Sequence, residues 1–261
     1  MRVATAPEIP PGSSGLALRF RRVSKRHPEQ AVLDGFDLQV RQDECFALVG
    51  LNGAGKTTCI KSLLYFDEID EGSISIFGVD HRVRTARSRL AYLPESFVPP
   101  YHHTGRQFLA YATRLYGERW EAAELEGLCR AFDLAPAALA RPVRTLSKGM
   151  AQKLGLVGCL ASRRELLVLD EPMTGLDPRA RVFVKRHLRT LRETGRTVFF
   201  STHMLFDVQE ICDRMGVLHR GRLHFVGTPA ECCRRFGASN LEEAFLACIE
   251  APKGAAPGRC G

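Results

Sequence analysis

The sequence predicts an α/β protein in which a mostly parallel sheet is covered by helices. Three observations predict it. Apolar runs of strand length alternate with stretches whose apolar residues recur at helical spacing. A glycine-rich segment, Gly50-Leu51-Asn52-Gly53-Ala54-Gly55-Lys56-Thr57-Thr58, lies between the apolar run Phe46–Val49 and a helical stretch carrying Ile60, Leu63 and Leu64. The run Leu166–Leu169 ends in Asp170-Glu171, as a buried strand does when it presents a carboxylate at the carboxyl edge of a parallel sheet.

Taken in order, Leu16–Arg22 and Phe36–Val40 read as strands, the second with alternating apolar and polar residues. Phe46–Val49 enters the glycine-rich loop, and Ser73–Phe77 and Leu90–Leu93 are further short strands. From about Thr104 to Phe132 the period becomes helical. Phe108, Ala112, Leu115 and Tyr116 fit one face, and Leu125, Leu128 and Phe132 fit another. Residues 96–145 are expected to form a helical subdomain inserted into the core. A helix face at Met150, Leu154, Val157 and Ala161 leads into the acidic strand. Then follow a helix over Val182–Leu191, a strand over Thr197–Ser201, a helix over Leu205–Cys212, and strands Met215–Leu218 and Arg222–Val226 joined by an Arg220-Gly221 turn. Residues 16–250 are expected to be one domain. The tails 1–15 and 251–261 have the composition of flexible segments.

Composition sets bounds. No apolar run approaches the roughly 18–20 residues that span a bilayer, and no apolar core follows Arg2 as a signal peptide requires. The formal charge of +8 suits nucleic acid, an anionic membrane face, or a basic soluble protein with neither partner. Arg82, Arg84, Arg87 and Arg89 cluster without the interleaved aromatics of a nucleic-acid platform. Nine cysteines, an odd number, form no Cys-x-x-Cys pair, and the adjacent Cys232-Cys233 lacks the other ligands of a zinc site. Free thiols in a reducing cytosol fit this usage.

The glycine-rich loop is the chemical centre. Its glycines let successive N–H groups wrap a polyphosphate, and the following helix adds its N-terminal dipole. Lys56 is placed to reach the β- and γ-phosphates, and the Thr57 hydroxyl to hold Mg²⁺. Asp170 is the metal-side acid, and Glu171 the candidate base for an attacking water. The chain is therefore expected to bind a nucleoside triphosphate.

Further segments join these. Leu146-Ser147-Lys148-Gly149-Met150 precedes the acidic strand, Gly175-Leu176-Asp177-Pro178 follows it, and Ser201-Thr202-His203 ends the next strand. Together the motifs resemble those of the nucleotide-binding subunits of ATP-binding cassette (ABC) transporters, over about Leu16–Ile249. The resemblance implies a P-loop NTPase of ABC type, with an N-terminal antiparallel β subdomain beside the parallel core. Gly50–Thr58 matches Walker A, and Leu166–Glu171 matches Walker B with Glu171 as the catalytic glutamate. Leu146–Met150 matches the signature loop, whose Ser147 and Gly149 would contact the γ-phosphate bound on a partner subunit. Asp177 matches the D-loop aspartate and His203 the switch histidine.

Lys148 stands where many members have glycine, and three further positions depart from the family pattern. Glu95, in Ala91-Tyr92-Leu93-Pro94-Glu95, stands where most members have the Q-loop glutamine, and it could still ligate Mg²⁺ or orient water. His27 falls at the adenine-stacking position, usually aromatic. Met173 replaces a small polar residue as a packing variant. The resemblance further implies ATP and Mg²⁺, a head-to-tail dimer that is most simply a homodimer, and a separate transmembrane permease holding the subunit at the inner face of the membrane. Phe97–Tyr101 would lie near that permease. Leu-Pro-Glu, Ser-Lys-Gly-Met and Leu241–Leu246 resemble export-type members. An importer subunit is the nearer alternative. A member acting on DNA or ribosomes is a further one, although no nucleic-acid partner is expected.

Overall fold

A computed structural model describes residues 15–27 and 30–251. In chain order it contains β1 (Leu16–His27), β2 (Gln30–Arg41), β3 (Cys45–Val49), α1 (Lys56–Leu63), β4 (Glu71–Ile76), β5 (Val79–Asp80), α2 (Arg84–Arg87) and β6 (Leu90–Leu93). Next come α3 (Gly105–Leu115), α4 (Ala122–Ala131), α5 (Pro136–Leu139), a 3₁₀ turn over Val143–Thr145, α6 (Lys148–Ala161), β7 (Leu166–Asp170) and α7 (Pro178–Glu193). The chain continues through β8 (Thr197–Thr202), α8 (Leu205–Ile211), β9 (Arg214–His219), β10 (Arg222–Gly227), α9 (Pro229–Phe236) and α10 (Leu241–Glu250). The flexible tails expected at 1–15 and 251–261 lie outside the described residues except for Gly15 and Ala251.

Two sheets organise these elements. A six-stranded sheet runs β10-β9-β3-β8-β7-β6, with only the β9–β10 hairpin antiparallel. A four-stranded antiparallel sheet runs β2-β1-β4-β5. Every residue of β3, β7 and β8 is buried, so these strands read as continuous apolar runs. Their two-residue period still sorts side chains by face. Phe46, Leu48, Val168 and Phe199 join one core with α1 and the antiparallel sheet. Ala47, Val49, Leu167, Leu169 and Phe200 join the other with α3, α6 and α7.

The structure departs from the sequence reading in several places. β1 and β2 run longer than the expected strands and form one long hairpin. Leu115 is 66% exposed rather than packed with Phe108, Ala112 and Tyr116. The buried face of α3 is centred near Gly105, Leu109 and Ala112, and at about 100° per residue Leu115 falls roughly 90° from that centre. The structure adds helix α9, whose start is marked by a capping box of Thr228 and Glu231 with Pro229 in the first turn.

The arginine cluster is largely committed to local partners. Arg82 pairs with Asp80, Arg87 donates to His81 O, and Arg89 pairs with Glu165 while stacking 3.8 Å from the Phe77 ring. The eight cysteines within the described residues are free thiols, and Cys260 lies outside them. Burial pushes the Cys159 thiol up to about 12, which makes it a packing group rather than a nucleophile. Met173 is buried in the core, as a packing variant should be.

Candidate functional site

The phosphate loop is held open by backbone geometry. Gly53 and Gly55 take positive φ, +79° and +110°, which favours glycine. A Cβ on Gly50 would lie 2.5 Å from Leu218 O, and one on Gly55 would lie 2.7 Å from Val32 O, so both positions also need glycine for space. Gly55 is the N-cap of α1 and no side chain caps that helix. The first-turn N–H groups are therefore left for an exogenous acceptor such as phosphate. Lys56 folds back over the loop, donating to Gly50 O (2.7 Å) and Leu51 O (3.3 Å). Leu51, Asn52 and Gly53 are exposed, Ala54, Gly55 and Lys56 buried, and Thr57 and Thr58 half-buried.

β7 and β8 bring the acids to this loop. Their parallel register pairs Asp170 with Ser201. The Ser201 hydroxyl donates to Asp170 Oδ1 (2.5 Å) and accepts from the Glu171 N–H (2.9 Å). Glu171 has a φ of +46°, a strained value for a non-glycine residue that its surroundings must hold in place. Its buried carboxylate sits between two cationic or donor groups. Lys56 Nζ is 3.2 Å from Oε1, and His203 Nδ1 donates to Oε2 at 3.0 Å. An ionised carboxylate only accepts, so the proton of His203 is on Nδ1 in this contact. Lys56, Asp170, Glu171 and His203 thus form one cluster.

Ser147, Gly149 and Asp177 form another. Ser147 is the N-cap of α6 and accepts from the Met150 N–H (3.2 Å). A Cβ on Gly149 would lie 3.0 Å from Gly175 O, so the two loops pack directly together. The Ala180 N–H (2.8 Å) and then Lys153 Nζ (2.9 Å) hold the Asp177 carboxyl below its usual range. Among the described residues no hydrogen bond or ion pair joins Ser147, Gly149 or Asp177 to Gly50–Thr58. Glu95 and His27 are exposed, and within the described residues neither bonds to Lys56, Asp170 or Glu171. His27 ends β1 opposite Gln30, a few residues along the hairpin from the Val32 carbonyl that touches Gly55. In the segment Phe97–Tyr101, Phe97 packs on Phe108 (5.4 Å between ring centroids) and Pro99 is buried, while Val98 and Tyr101 remain exposed.

Two supports could not be assigned from sequence alone. Ser201 stands out there only as a neighbour of His203; its bridge between Asp170 and Glu171 depends on which strands pair. Gly221, at the β9–β10 turn, donates to Ala54 O (3.1 Å) and accepts from the Asp34 N–H (3.0 Å), clasping the phosphate loop to β2. Ser201→Ala should lower stability by about 1–3 kcal/mol, because it leaves buried polar groups without partners. It should also slow ATP hydrolysis. Urea denaturation and steady-state ATPase assays check this, and unchanged values in both would show that the bridge is idle.

The site suits Mg²⁺. Among the described residues no cluster of three or more His, Cys, Asp or Glu could hold a metal ion. Asp170 engages Ser201 through Oδ1, and Thr57 supplies a half-buried hydroxyl. A hard cation that takes one or two protein oxygens and completes its shell with phosphate and water matches this sparse donor set.

A family model described as "ABC transporter" matches residues 33–174. The chain is 38% identical over 214 residues to a protein of Burkholderia orbicola named "Nod factor export ATP-binding protein I", covering 80% of this chain and 70% of that one. It is 36% identical over 220 residues to a protein of the same name from Sinorhizobium fredii, covering 83% and 64%. A solved structure titled "Structure of ATP binding subunit of ABC transporter" superposes with a TM-score of 0.82 at 33% identity, covering 90% of this chain and 100% of that one. A bacterial Atm1-family ABC exporter with ATP bound shares the fold, with a TM-score of 0.77 at 24% identity over 97% of this chain and 45% of that one. The chain belongs to the ABC transporter family and is an ATP-binding subunit with ATPase activity.

Proposed function

We propose that this chain hydrolyses ATP as one half of a head-to-tail dimer and so drives export through a separate membrane permease. The observation that carries the reading is the division of the motif residues into two clusters on one chain. Lys56, Asp170, Glu171 and His203 gather at the phosphate loop, whereas Ser147, Gly149 and Asp177 gather at the start of α6. Two copies arranged head to tail bring each cluster against its complement. A homodimer suffices, since each copy carries both clusters.

Within one composite site each residue has a task. Glu171 accepts a proton from the attacking water, or orients it, and its strained backbone is pinned by Ser201. Lys56 moves from the loop carbonyls to the β- and γ-phosphates. His203 keeps Glu171 aimed through Nδ1; contact of its Nε2 with a phosphate oxygen needs a second ring proton. The exposed start of α6 offers N–H groups to the phosphate of the partner copy. Thr57 and Asp170 would hold Mg²⁺, which when bound supplies charge neutralisation on the phosphates; Glu95 is a further oxygen ligand or water-orienting group. His27 is the candidate for contact with adenine.

No helix within the described residues is long and apolar enough to cross a membrane. The permease is proposed as another polypeptide, which holds this subunit at the inner membrane face. Val98 and Tyr101 supply exposed apolar area for it. The export direction is supported by the relatives named for Nod factor export.

Affinity purification from detergent-solubilised membranes, with mass spectrometry of co-purifying chains, tests the reading. A multi-span polypeptide near one-to-one with this chain is the expected result. A solute-binding protein beside it would make the assembly an importer. Recovery with ribosomes or DNA and no permease would overturn the transport reading while leaving the ATPase intact.

A further inference from the structure

Away from the nucleotide site, the outer face of the antiparallel sheet carries a groove of about 530 Å³. β1 sends Leu18 and Phe20 into the core, so Arg19 and Arg21 fall on the opposite face. The register places Ser75 opposite Arg19 and Ser73 opposite Arg21 on β4. Beyond Arg21 the pairing slips, and Arg22 takes a φ of +44° while its N–H donates to Asp37. This irregularity ends the Arg/Ser ladder at the second arginine. Gln42 closes one end of the groove, its amide lying over Gly15, where a Cβ would come within 2.4 Å of Nε2.

Several arginines elsewhere on the chain are ion-paired. Arg82, Arg89, Arg106, Arg181, Arg214 and Arg222 each have a carboxylate within ion-pair distance. Arg19 and Arg21 have none among the described residues, and no Asp or Glu lines the groove. Arg19 Nε is buried without any hydrogen-bond partner, and a buried guanidinium donor without an acceptor is unusual in a folded protein. Two guanidinium groups, two hydroxyls and a carboxamide line the groove as potential donors. A carboxylate has only two oxygens to answer them, whereas a phosphate monoester has three terminal oxygens and takes paired Arg contacts. The remaining volume leaves room for the organic part.

We propose that this groove binds a phosphate monoester, held by Arg19 and Arg21 with Ser73, Ser75 and Gln42 completing its shell. The phosphate is either that of a soluble metabolite or that of a lipid headgroup. The site is separate from the phosphate loop and independent of the transport reading.

The test follows the arginine Nε–Hε signals by NMR in ADP-saturated protein, so that the phosphate loop is already filled. Glycerol 3-phosphate should move the Arg19 and Arg21 signals saturably. Sodium chloride at matched ionic strength should not. R21Q should weaken binding about tenfold, the loss of roughly one charge-assisted contact. It should leave the melting temperature and basal ATPase rate unchanged, because the side chain is exposed and outside the nucleotide site. Vesicles containing phosphatidate, set against phosphatidylcholine alone, separate the two sources. Sedimentation with phosphatidate vesicles that R21Q abolishes, without a response to glycerol 3-phosphate, places the ligand on a lipid. A response to glycerol 3-phosphate places it in solution. No saturable response to either, or an equal response to chloride, overturns the proposal.

Discussion

Glu171→Gln is expected to abolish turnover while ATP still binds, so that an ATP-bound dimer accumulates. The carboxylate is buried between Lys56 Nζ and His203 Nδ1, at 3.2 Å and 3.0 Å, paired by charge with the first and accepting a hydrogen bond from the second. Glutamine keeps the shape and one acceptor oxygen but cannot take a proton from water. Loss of a positioned general base lowers the rate by about 10²–10⁴-fold. The same change removes a negative charge beside the phosphates, so affinity for ATP should hold or tighten. Steady-state ATPase assays and light scattering with and without ATP report the two effects separately. Turnover close to wild type would remove Glu171 from the base role, and a variant that stays monomeric in ATP would count against the head-to-tail dimer.

Lys56→Met should eliminate measurable ATP binding and also weaken the nucleotide-free protein. Lys56 Nζ makes two hydrogen bonds to loop carbonyls and an ion pair with Glu171, all largely shielded from water. Its charge-assisted contacts to phosphate are worth about 1.5–3 kcal/mol each, so affinity should fall by at least about a hundredfold. Without nucleotide, methionine leaves the buried Glu171 carboxylate with only His203 as a partner. Removing one member of a buried pair typically destabilises by about 3–5 kcal/mol, and the surviving histidine contact places the loss at the lower end. The double variant Lys56→Met/Glu171→Gln should recover much of that stability, since it removes the stranded charge. Urea denaturation of the four proteins closes the cycle. Strict additivity would mean that the Lys56–Glu171 contact contributes nothing to the resting protein.

Both predictions concern residues that are legible in the sequence. Lys56 lies in a glycine-rich loop between a strand and a helix, and Glu171 follows a run of apolar residues ending in Asp170. Local rules suffice there, because the nest, the helix start and the strand end are all formed within a few consecutive residues. The positioning groups are not encoded by local spacing. Ser201 matters because β7 and β8 are neighbours in register, and Gly221 because the β9–β10 turn folds over the phosphate loop. Leu115 shows a similar limit in the helices. Its spacing fits an apolar face, but the centre of that face is set by where α3 packs, and Leu115 lies outside it.

By itself, then, the sequence determined the α/β class, the order of the strands and helices around the loop, and the phosphate-binding and acidic motifs. Each of these is encoded in spacing along the chain, in a period of two, a period of about 3.6, or a fixed run of glycines. Only the tertiary structure decided that the motif residues divide into two separate clusters, that Glu171 is clamped between a lysine and a histidine, and that Arg19 and Arg21 share an acid-free groove. The physical reason is common to all three. Contacts between side chains distant in sequence depend on strand order, register and helix packing, and those are settled by which apolar faces bury against one another.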